Sequence, residues 1–301
     1  MAREISLELA EIANGEVLGY RVTGKGDQVM VLVHGNMTSS KHWDLVLENM
    51  PDEYQIYAPD LRGFGISSYH QPISSLKDFS EDLKLWVDSI GLESFALGGW
   101  STGGGVAMQF AADYPEYVTK LILIESVGIS GYPILAKDAQ GQPIPGQFLK
   151  TKEEIAADPV QVAPVLAAQA AQNKDFLRML WDMVIYTQNK PEENKYQEYL
   201  EDMLTQRNLV DVDYALATFN ISSEHNGVVS GSGDVAKIAC PTLIIQGEKD
   251  LVVPVTMALG IKEGLGAKAE LVILENSGHS PLIDSLDRLI ELLVKFTRAG
   301  D

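Results

Sequence analysis

The chain has 301 residues, of which 46% are hydrophobic and 22% charged, and this length suits one large α/β domain with an insertion or two smaller domains. The formal net charge of −19 argues against electrostatic binding of nucleic acid or of an anionic membrane surface, because both need positive charge on the protein. A single cysteine, Cys240, excludes an internal disulfide bond, and we find no signal peptide and no apolar run that spans a bilayer, so we expect a cytoplasmic protein without a membrane-spanning segment.

Short apolar runs, separated by turn signals and helical patterns, predict a sheet. Asn14-Gly15 is a hairpin signal, so the first two runs are expected to pair as a hairpin. Several later runs are apolar throughout, which is typical of strands covered on both faces. The predicted strands are residues 5–12, 17–22, 29–33, 55–58, 95–98, 121–125, 242–247 and 269–274.

Helical patterns follow several of these strands, at residues 40–49, 75–90, 102–112 and 283–297. The regular alternation stops after residue 125 and resumes at residue 242. Between them lie a Pro/Gly-rich stretch at 131–146, a capping box at Thr151 and Glu154, and helical patterns at 176–185, 192–206 and 211–219. We interpret residues 127–235 as an inserted helical cap and residues 1–126 with 236–301 as the core domain.

A serine lies between glycines where the fifth predicted strand becomes a helix, in Gly99-Trp100-Ser101-Thr102-Gly103. In a G-x-S-x-G elbow the serine is a nucleophile exposed on a strained turn. The glycines are needed because a Cβ at Gly99 or Gly103 would collide with neighbouring backbone. We therefore predict that Ser101 is the catalytic nucleophile.

Two late loops contribute an acid and a histidine. Asp250 follows the strand at 242–247, and His279 follows the strand at 269–274. The order Ser101, Asp250, His279 is that of the α/β-hydrolase triad. His279 would take the serine proton, and Asp250 would orient the imidazole. Glu125, at the end of another strand, is a competing acid; Asp250 is preferred because its loop begins with a glycine after a clear buried strand.

The loop after the third strand, His34-Gly35-Asn36, is expected to contribute to an oxyanion hole. We assign the backbone N–H groups of Asn36 and Thr102 as its two donors, and we expect His34 to brace the loop. No cluster of side chains has the spacing of metal ligands, so neither a metal nor an organic cofactor is expected.

These motifs together resemble the α/β-hydrolase superfamily over nearly the whole chain. The resemblance implies a mostly parallel eight-stranded sheet, with its first strands antiparallel, that is flanked by helices and carries the triad on loops. Asn36 after His34-Gly35 is similar to haloalkane dehalogenases, but Ser101 stands where those enzymes have an aspartate, so dehalogenation is disfavoured. The motifs are His34-Gly35, Asp60-Leu61-Arg62-Gly63-Phe64-Gly65, Gly99-Trp100-Ser101-Thr102-Gly103, Gly247-Glu248-Lys249-Asp250 and Ser277-Gly278-His279.

Trp100 before the nucleophile, together with the long cap, resembles the intracellular polyhydroxybutyrate depolymerases of bacilli, whose nucleophile motif is Gly-Trp-Ser-x-Gly. This resemblance implies hydrolysis of short-chain 3-hydroxyacid polyesters on cytoplasmic granules. Packing beneath the elbow explains Trp100 equally well.

We therefore expect a serine hydrolase that cleaves carboxylic esters, in a polyester or a small molecule, through an acyl-enzyme. One alternative is a carboxylesterase or lactonase for small soluble substrates. Another is a ligand-binding receptor that keeps a residual triad, since a fold does not determine a function. No feature of the sequence predicts an oligomeric state.

Overall fold

The computed structural model describes residues 3–298, which form an eight-stranded sheet with helices on both faces. The strands lie in the order β1-β2-β4-β3-β5-β6-β9-β10. They are β1 (Ile5–Glu11), β2 (Val17–Thr23), β3 (Gln28–Val33), β4 (Tyr54–Pro59), β5 (Phe95–Trp100), β6 (Val118–Ile124), β9 (Thr242–Gly247) and β10 (Ala269–Leu274).

The sheet is mostly parallel, which confirms the predicted fold class. β1 pairs antiparallel with β2, and β2 pairs antiparallel with β4, whereas the other neighbours are parallel. All six residues of β5 and all six of β9 are buried. These central strands therefore have no solvent-exposed face, and their carboxyl ends meet at one edge of the sheet, where open α/β sheets bind ligands.

Two apolar layers cover the sheet. Along β3, Val31 and Val33 belong to one layer, whereas Met30 and Leu32 belong to the other, as the alternation of a strand requires. Helices α2 (Leu76–Ser89), α3 (Thr102–Asp113) and α9 (Val255–Leu265) pack in the first layer. Helices α1 (Asp44–Asn49), α10 (Pro281–Asp284) and α11 (Leu286–Arg298) pack in the second.

Two predicted helices have different bounds in the structure. The helix expected at 40–49 begins as a 3-10 turn, Ser40–Trp43, before α1. The helix expected at 283–297 is divided at Ser285 into α10 and α11. Ser285 separates them with a φ of −146° and a ψ of 41°, which are not helical, and the carboxylate of Asp284 before it accepts hydrogen bonds from the backbone N–H groups of Gly278 and Asn189.

The segment between β6 and β9 contains a hairpin, five helices and a 3-10 turn. Its elements are β7 (Leu135–Lys137), β8 (Pro143–Phe148), α4 (Lys152–Ala156), α5 (Ala163–Ala170), α6 (Lys174–Val184), α7 (Glu193–Met203), α8 (Leu209–Thr218) and the turn Asp234–Lys237. Thr151 caps α4, and Glu154 completes the predicted capping box. The hairpin falls in the Pro/Gly-rich stretch and was not predicted.

Buried polar contacts attach this inserted segment to the core. The carboxylate of Asp202, on α7, accepts hydrogen bonds from the backbone N–H of Ser39 at 2.8 Å and from its hydroxyl. The amide of Asn208 donates to the backbone carbonyl of Arg62 at 2.7 Å. Because each contact satisfies a buried polar group, separating the two parts there would leave those groups unpaired. Within residues 3–298, no helix combines the length and the apolar character needed to cross a membrane.

Candidate active site

Ser101 occupies the sharp turn between β5 and α3. Its φ of 55° and ψ of −119° lie outside the regions that residues with a side chain ordinarily adopt. A Cβ at Gly99 would lie 2.2 Å from the carbonyl oxygen of Gly103, and a Cβ at Gly103 would lie 2.3 Å from that of Val33. Glycine is therefore required on both sides of the turn that exposes the serine.

The structure brings Ser101, His279 and Asp250 together from three different loops. Nε2 of His279 lies 3.1 Å from Oγ of Ser101, and Nδ1 lies 2.8 Å from Oδ2 of Asp250. The His279 and Asp250 side chains are 2% and 1% exposed, so their interaction is shielded from water. This chain of hydrogen bonds is the arrangement that activates a serine hydroxyl as a nucleophile.

The loop after β9 holds Asp250 in its orientation. Oδ1 accepts hydrogen bonds from the backbone N–H groups of Val252 at 2.7 Å and Val253 at 2.9 Å. Burial acts to raise the pKa of Asp250, but His279, Glu125 and the hydrogen bond from Val253 outweigh it and hold the pKa below its usual value. Asp250 is thus ionised and free to accept from the imidazole with its other oxygen.

Glu125, the competing acid, lies behind Asp250 and does not contact the imidazole of His279, whose ring nitrogens bond to Asp250 and Ser101. Its carboxyl oxygens accept hydrogen bonds from the backbone N–H of Gly247 and from Nε2 of Gln246, each at 2.7 Å. Burial, the charge of Asp250 and a hydrogen bond to Asp250 raise the pKa of Glu125 well above its usual value. The raised pKa favours the protonated form of Glu125 beside Asp250.

Asn36 and Thr102, the two residues expected in the oxyanion hole, line the same cavity as Ser101 and His279. Within residues 3–298, neither backbone N–H donates to another residue, so both are available to a ligand oxygen. A Cβ at Gly35 would lie 2.7 Å from the Trp100 ring, which explains the glycine before Asn36.

The imidazole of His34 supports the next loop of the core. Its Nε2 accepts a hydrogen bond from the backbone N–H of Leu61 at 2.9 Å. The side chain is fully buried, and this burial lowers the pKa of His34 to about 4. A neutral imidazole bonded to backbone in this way is suited to brace the loop.

A cavity of about 450 Å³ lies over the triad. Trp181 and Met183, both on helix α6, are in its wall. A larger open groove of about 820 Å³, lined by β1, β2 and β4, contains none of the triad residues. The cavity wall is mostly apolar, and the inserted segment contributes Val127, Tyr132, Ile134, Val160, Gln161, Val162, Leu180, Trp181, Met183, Val184, Ile185, Leu209, Asp213 and Leu216.

Asp213, an acidic residue of the cavity wall, is not among the site residues predicted from the sequence. Asp213 lies on α8 and accepts a hydrogen bond from Nδ2 of Asn36 at 3.0 Å. It shares a helical stripe with Leu209 and Leu216, which also line the cavity. In the sequence, Asp213 lies four residues after Leu209 and three before Leu216, so it interrupts an apolar helical stripe. This pattern is the signal that could have identified Asp213.

Comparison with known proteins gives the same fold. A family model described as the α/β-hydrolase fold matches residues 28–286. The chain is 26% identical over 282 residues to a 2-hydroxy-6-oxononadienedioate/2-hydroxy-6-oxononatrienedioate hydrolase of Paraburkholderia phymatum, covering 92% of this chain and 89% of that protein. It is 24% identical over 295 residues to Lipase 1 of Psychrobacter immobilis, covering 94% and 81%.

Among solved structures, an esterase from Exiguobacterium antarcticum superimposes with a TM-score of 0.73 at 20% identity, covering 97% of this chain and 99% of that one. At that identity the likeness shows the fold alone. The family model, in contrast, spans the elbow, the acid loop and the histidine loop. The chain therefore belongs to the α/β-hydrolase fold family.

Proposed function

We propose that this chain is a serine hydrolase that cleaves carboxylic esters through an acyl-enzyme. The observation that carries the proposal is the continuous chain of hydrogen bonds from Ser101 through His279 to Asp250 at the floor of an apolar cavity. Family membership and the curated relatives named as a hydrolase and a lipase support the same chemistry.

Acylation follows from the positions of these groups. Oγ of Ser101 attacks the ester carbonyl carbon, and its proton passes to Nε2 of His279. Asp250 holds the Nδ1 proton and stabilises the imidazolium. The backbone N–H groups of Asn36 and Thr102 donate to the oxyanion of the tetrahedral intermediate. As that intermediate collapses, the ester C–O bond breaks and His279 returns the proton to the leaving alcohol.

Deacylation repeats these steps with water as the nucleophile. His279 takes a proton from water, the hydroxide attacks the acyl carbon, and the acyl–Oγ bond breaks while the proton returns to Ser101. One ester and one water thus give one carboxylic acid and one alcohol. The residues of this chain perform both half-reactions.

We further propose that residues 127–235 act as a cap over a core formed by residues 1–126 and 236–301. Fourteen of the residues that line the cavity come from the inserted segment, which supports this division. An apolar, covered space of about 450 Å³ suits a small ester with an apolar acyl chain. A carboxylesterase or lactonase for small substrates is thus the first candidate.

The second candidate is a depolymerase of short-chain polyhydroxyalkanoate acting at cytoplasmic granules. Val160, Met183 and Leu251 all line the cavity, yet they are 50%, 61% and 67% exposed. They therefore present apolar side chains to solvent at the cavity, which favours contact with an apolar polymer surface. Such an enzyme would be recovered with the granules.

The deciding experiment compares two substrates. The wild-type protein and Ser101→Ala are assayed for hydrolysis of p-nitrophenyl butyrate and for release of 3-hydroxybutyrate from native amorphous polyhydroxybutyrate granules. Serine-dependent cleavage of both supports the depolymerase. Cleavage of the small ester alone supports the carboxylesterase, and cleavage of neither contradicts the proposed function.

The receptor alternative is tested by labelling and turnover. A fluorophosphonate should label Ser101 covalently in the wild-type protein and leave Ser101→Ala unlabelled, because a competent nucleophile is required. Multiple turnovers of ester without a protein partner would contradict the receptor. An absence of labelling, together with tight reversible binding of an ester, would favour the receptor.

A further inference from the structure

One carboxyl group lies in the wall of the active-site cavity but has no part in the triad. Asp213 lines this cavity together with Ser101 and His279. Among the lining residues that the structure describes, it is the single acidic side chain, and Leu209 and Leu216 on the same helix are apolar. Because a carboxyl group in an apolar wall is unfavourable without partners, its presence requires an explanation.

The amide of Asn36 holds Asp213 by one oxygen. Nδ2 of Asn36 donates to Oδ1 of Asp213 at 3.0 Å. The orientation of the amide follows from its own oxygen, which accepts from the backbone N–H of Met37 at 2.9 Å and from Gln206 at 2.8 Å. Asn36 also carries one of the two proposed oxyanion donors. The carboxyl group is therefore anchored beside the position where the ester carbonyl binds.

The second oxygen of Asp213 is left for a ligand. Within residues 3–298, Oδ2 has no hydrogen-bond or ion-pair partner, although the side chain forms part of the cavity wall. Burial, partly opposed by the Asn36 hydrogen bond, raises the pKa of Asp213 to about 7, with a contribution from the charge of Asp158. Both the neutral and the ionised carboxyl are thus present near neutral pH.

A hydroxyl group is the ligand that pairs with both forms. It donates to a carboxylate and accepts from a neutral carboxyl, whereas an ether oxygen only accepts and so pairs only with the neutral form, and an ammonium only donates and so pairs best with the ionised form. The leaving alcohol must lie near Nε2 of His279, from which it receives a proton. Asp213 is anchored instead to Asn36, so a hydroxyl that reaches it belongs to the acyl part of the substrate.

We propose that Oδ2 of Asp213 binds a hydroxyl group on the acyl chain, so that the enzyme selects esters of hydroxyacids over esters of unsubstituted acids. This inference rests on the proposed ester hydrolysis and names the substrate class of the same site. It applies to a small hydroxyacid ester and to the hydroxyl-bearing end of a polyester alike.

The test measures kcat/KM for matched p-nitrophenyl esters of butyrate, 3-hydroxybutyrate, 3-methoxybutyrate and 3-aminobutyrate. A hydrogen bond to a charged group changes an equilibrium by about ten- to hundredfold. The kcat/KM of wild type should therefore be higher by that factor for the 3-hydroxybutyrate ester than for the butyrate ester. The methoxy ester cannot donate and pairs only with the neutral carboxyl, so it should keep only part of this preference. A stronger preference for the amino ester would overturn the hydroxyl assignment.

Variants connect the preference to Asp213. Asp213→Leu, which is of similar size but apolar, should reduce the 3-hydroxybutyrate to butyrate ratio to about one. Asp213→Asn, which keeps an acceptor for Asn36 and the shape of the site, should also lower it, and it replaces the leucine variant if that one does not fold. The control is Asp211→Asn on the same helix, where the carboxylate pairs with Lys152 and accepts from Tyr69. An unchanged ratio in the Asp213 variants would overturn the proposal.

A binding measurement separates this inference from the proposed function. Ethyl 3-hydroxybutyrate and ethyl butyrate are titrated into Ser101→Ala, with and without Asp213→Leu. If no ester is hydrolysed by wild type but the hydroxy ester still binds more tightly in an Asp213-dependent manner, the proposed function fails and the subsite stands. If esters are hydrolysed without any preference in rate or binding, the subsite fails and the proposed function stands.

Discussion

The indole nitrogen of Trp100 donates a hydrogen bond of 2.7 Å to the backbone carbonyl oxygen of His279. The nucleophile strand is thereby joined directly to the histidine loop, one residue before Ser101. The ring is 1% exposed and stacks on His42 with centroids 4.3 Å apart. Trp100 therefore has a structural reason to be present, and on its own it is no evidence for a polymer substrate.

Replacing Trp100 by phenylalanine should impair both folding and catalysis. The variant retains an aromatic ring but leaves the His279 carbonyl unpaired, which costs about 1–3 kcal/mol and lets the histidine loop shift. We expect kcat for p-nitrophenyl butyrate to fall on the order of tenfold. Steady-state kinetics and urea unfolding measure the two effects.

Trp86→Phe is the matched control for this experiment. Trp86 is also fully buried, but its indole N–H has no hydrogen-bond partner in the part of the chain that the structure describes. Its replacement should lower stability through lost packing and leave kcat unchanged. Equal kcat values in Trp100→Phe and Trp86→Phe would show that the hydrogen bond to His279 has no role in catalysis.

The two buried acids should respond very differently to amide substitution. Asp250→Asn removes the charge beside His279 and presents an amide to Nδ1, so the ring loses the tautomer that leaves Nε2 free to accept. By analogy with serine-protease triads, kcat should fall on the order of 10⁴-fold. Glu125→Gln keeps the side-chain size and a donor towards Asp250, so we expect a loss of about tenfold or less.

Rate measurements on both variants, with circular dichroism to verify folding, decide between the acids. The opposite pattern, in which Asp250→Asn remains active and Glu125→Gln does not, would identify Glu125 as the catalytic acid. Equal losses in both variants would indicate that the two carboxyl groups act as a coupled pair.

Much of the fold was predictable because its signals are local in the sequence. Continuous apolar runs such as β5 and β9 identify strands that are covered on both faces, and the glycines around Ser101 identify the elbow. The hairpin β7/β8 lacks such a signal, because β8 is largely exposed and contains Pro143. Nothing in its composition distinguishes it from a loop.

The contacts of the site were less predictable because they are tertiary. The sequence places Glu125 and Asp250 at the ends of strands, but only the neighbouring positions of β6 and β9 make one carboxyl group lie behind the other. The carboxylate of Asp284 likewise accepts a hydrogen bond from the backbone N–H of Asn189, in the inserted segment far from it in the chain. Local propensity contains no information on such partners.

The elbow glycines provide a test of backbone geometry. In Gly103→Ala the added Cβ would lie 2.3 Å from the carbonyl oxygen of Val33 and 2.5 Å from that of His34, so the turn must move. We expect a loss of about 1–3 kcal/mol in unfolding free energy and a near-complete loss of activity.

The control is Gly260→Ala, within α9, where the added Cβ meets nothing within 4 Å. This control should gain up to about 1 kcal/mol and keep its activity. A fully active Gly103→Ala would contradict the elbow geometry.

The attachment of the inserted segment should depend on pH through Asp202. Burial raises the pKa of this carboxyl group to about 6, a rise that the Ser39 hydrogen bonds oppose and the charge of Asp60 increases. In the unfolded chain the pKa is about 3.9. Between these values the folded chain binds more protons than the unfolded chain, so the unfolding free energy contributed by Asp202 falls as pH rises from about 4 to about 6.

Asp202→Asn isolates this contribution, because the other titrating groups are common to both proteins. The unfolding free energy of wild type minus that of the variant should decrease between about pH 4 and pH 6 and stay level from about pH 7 upwards, where the carboxyl group is ionised in both states. Urea titrations at half-unit steps of pH measure the difference. The level region above pH 7 serves as the internal control. A difference that rises with pH would mean that the Ser39 hydrogen bonds, rather than burial, determine the pKa of Asp202 in the folded chain. The inserted segment would then be held more firmly in neutral than in acid solution.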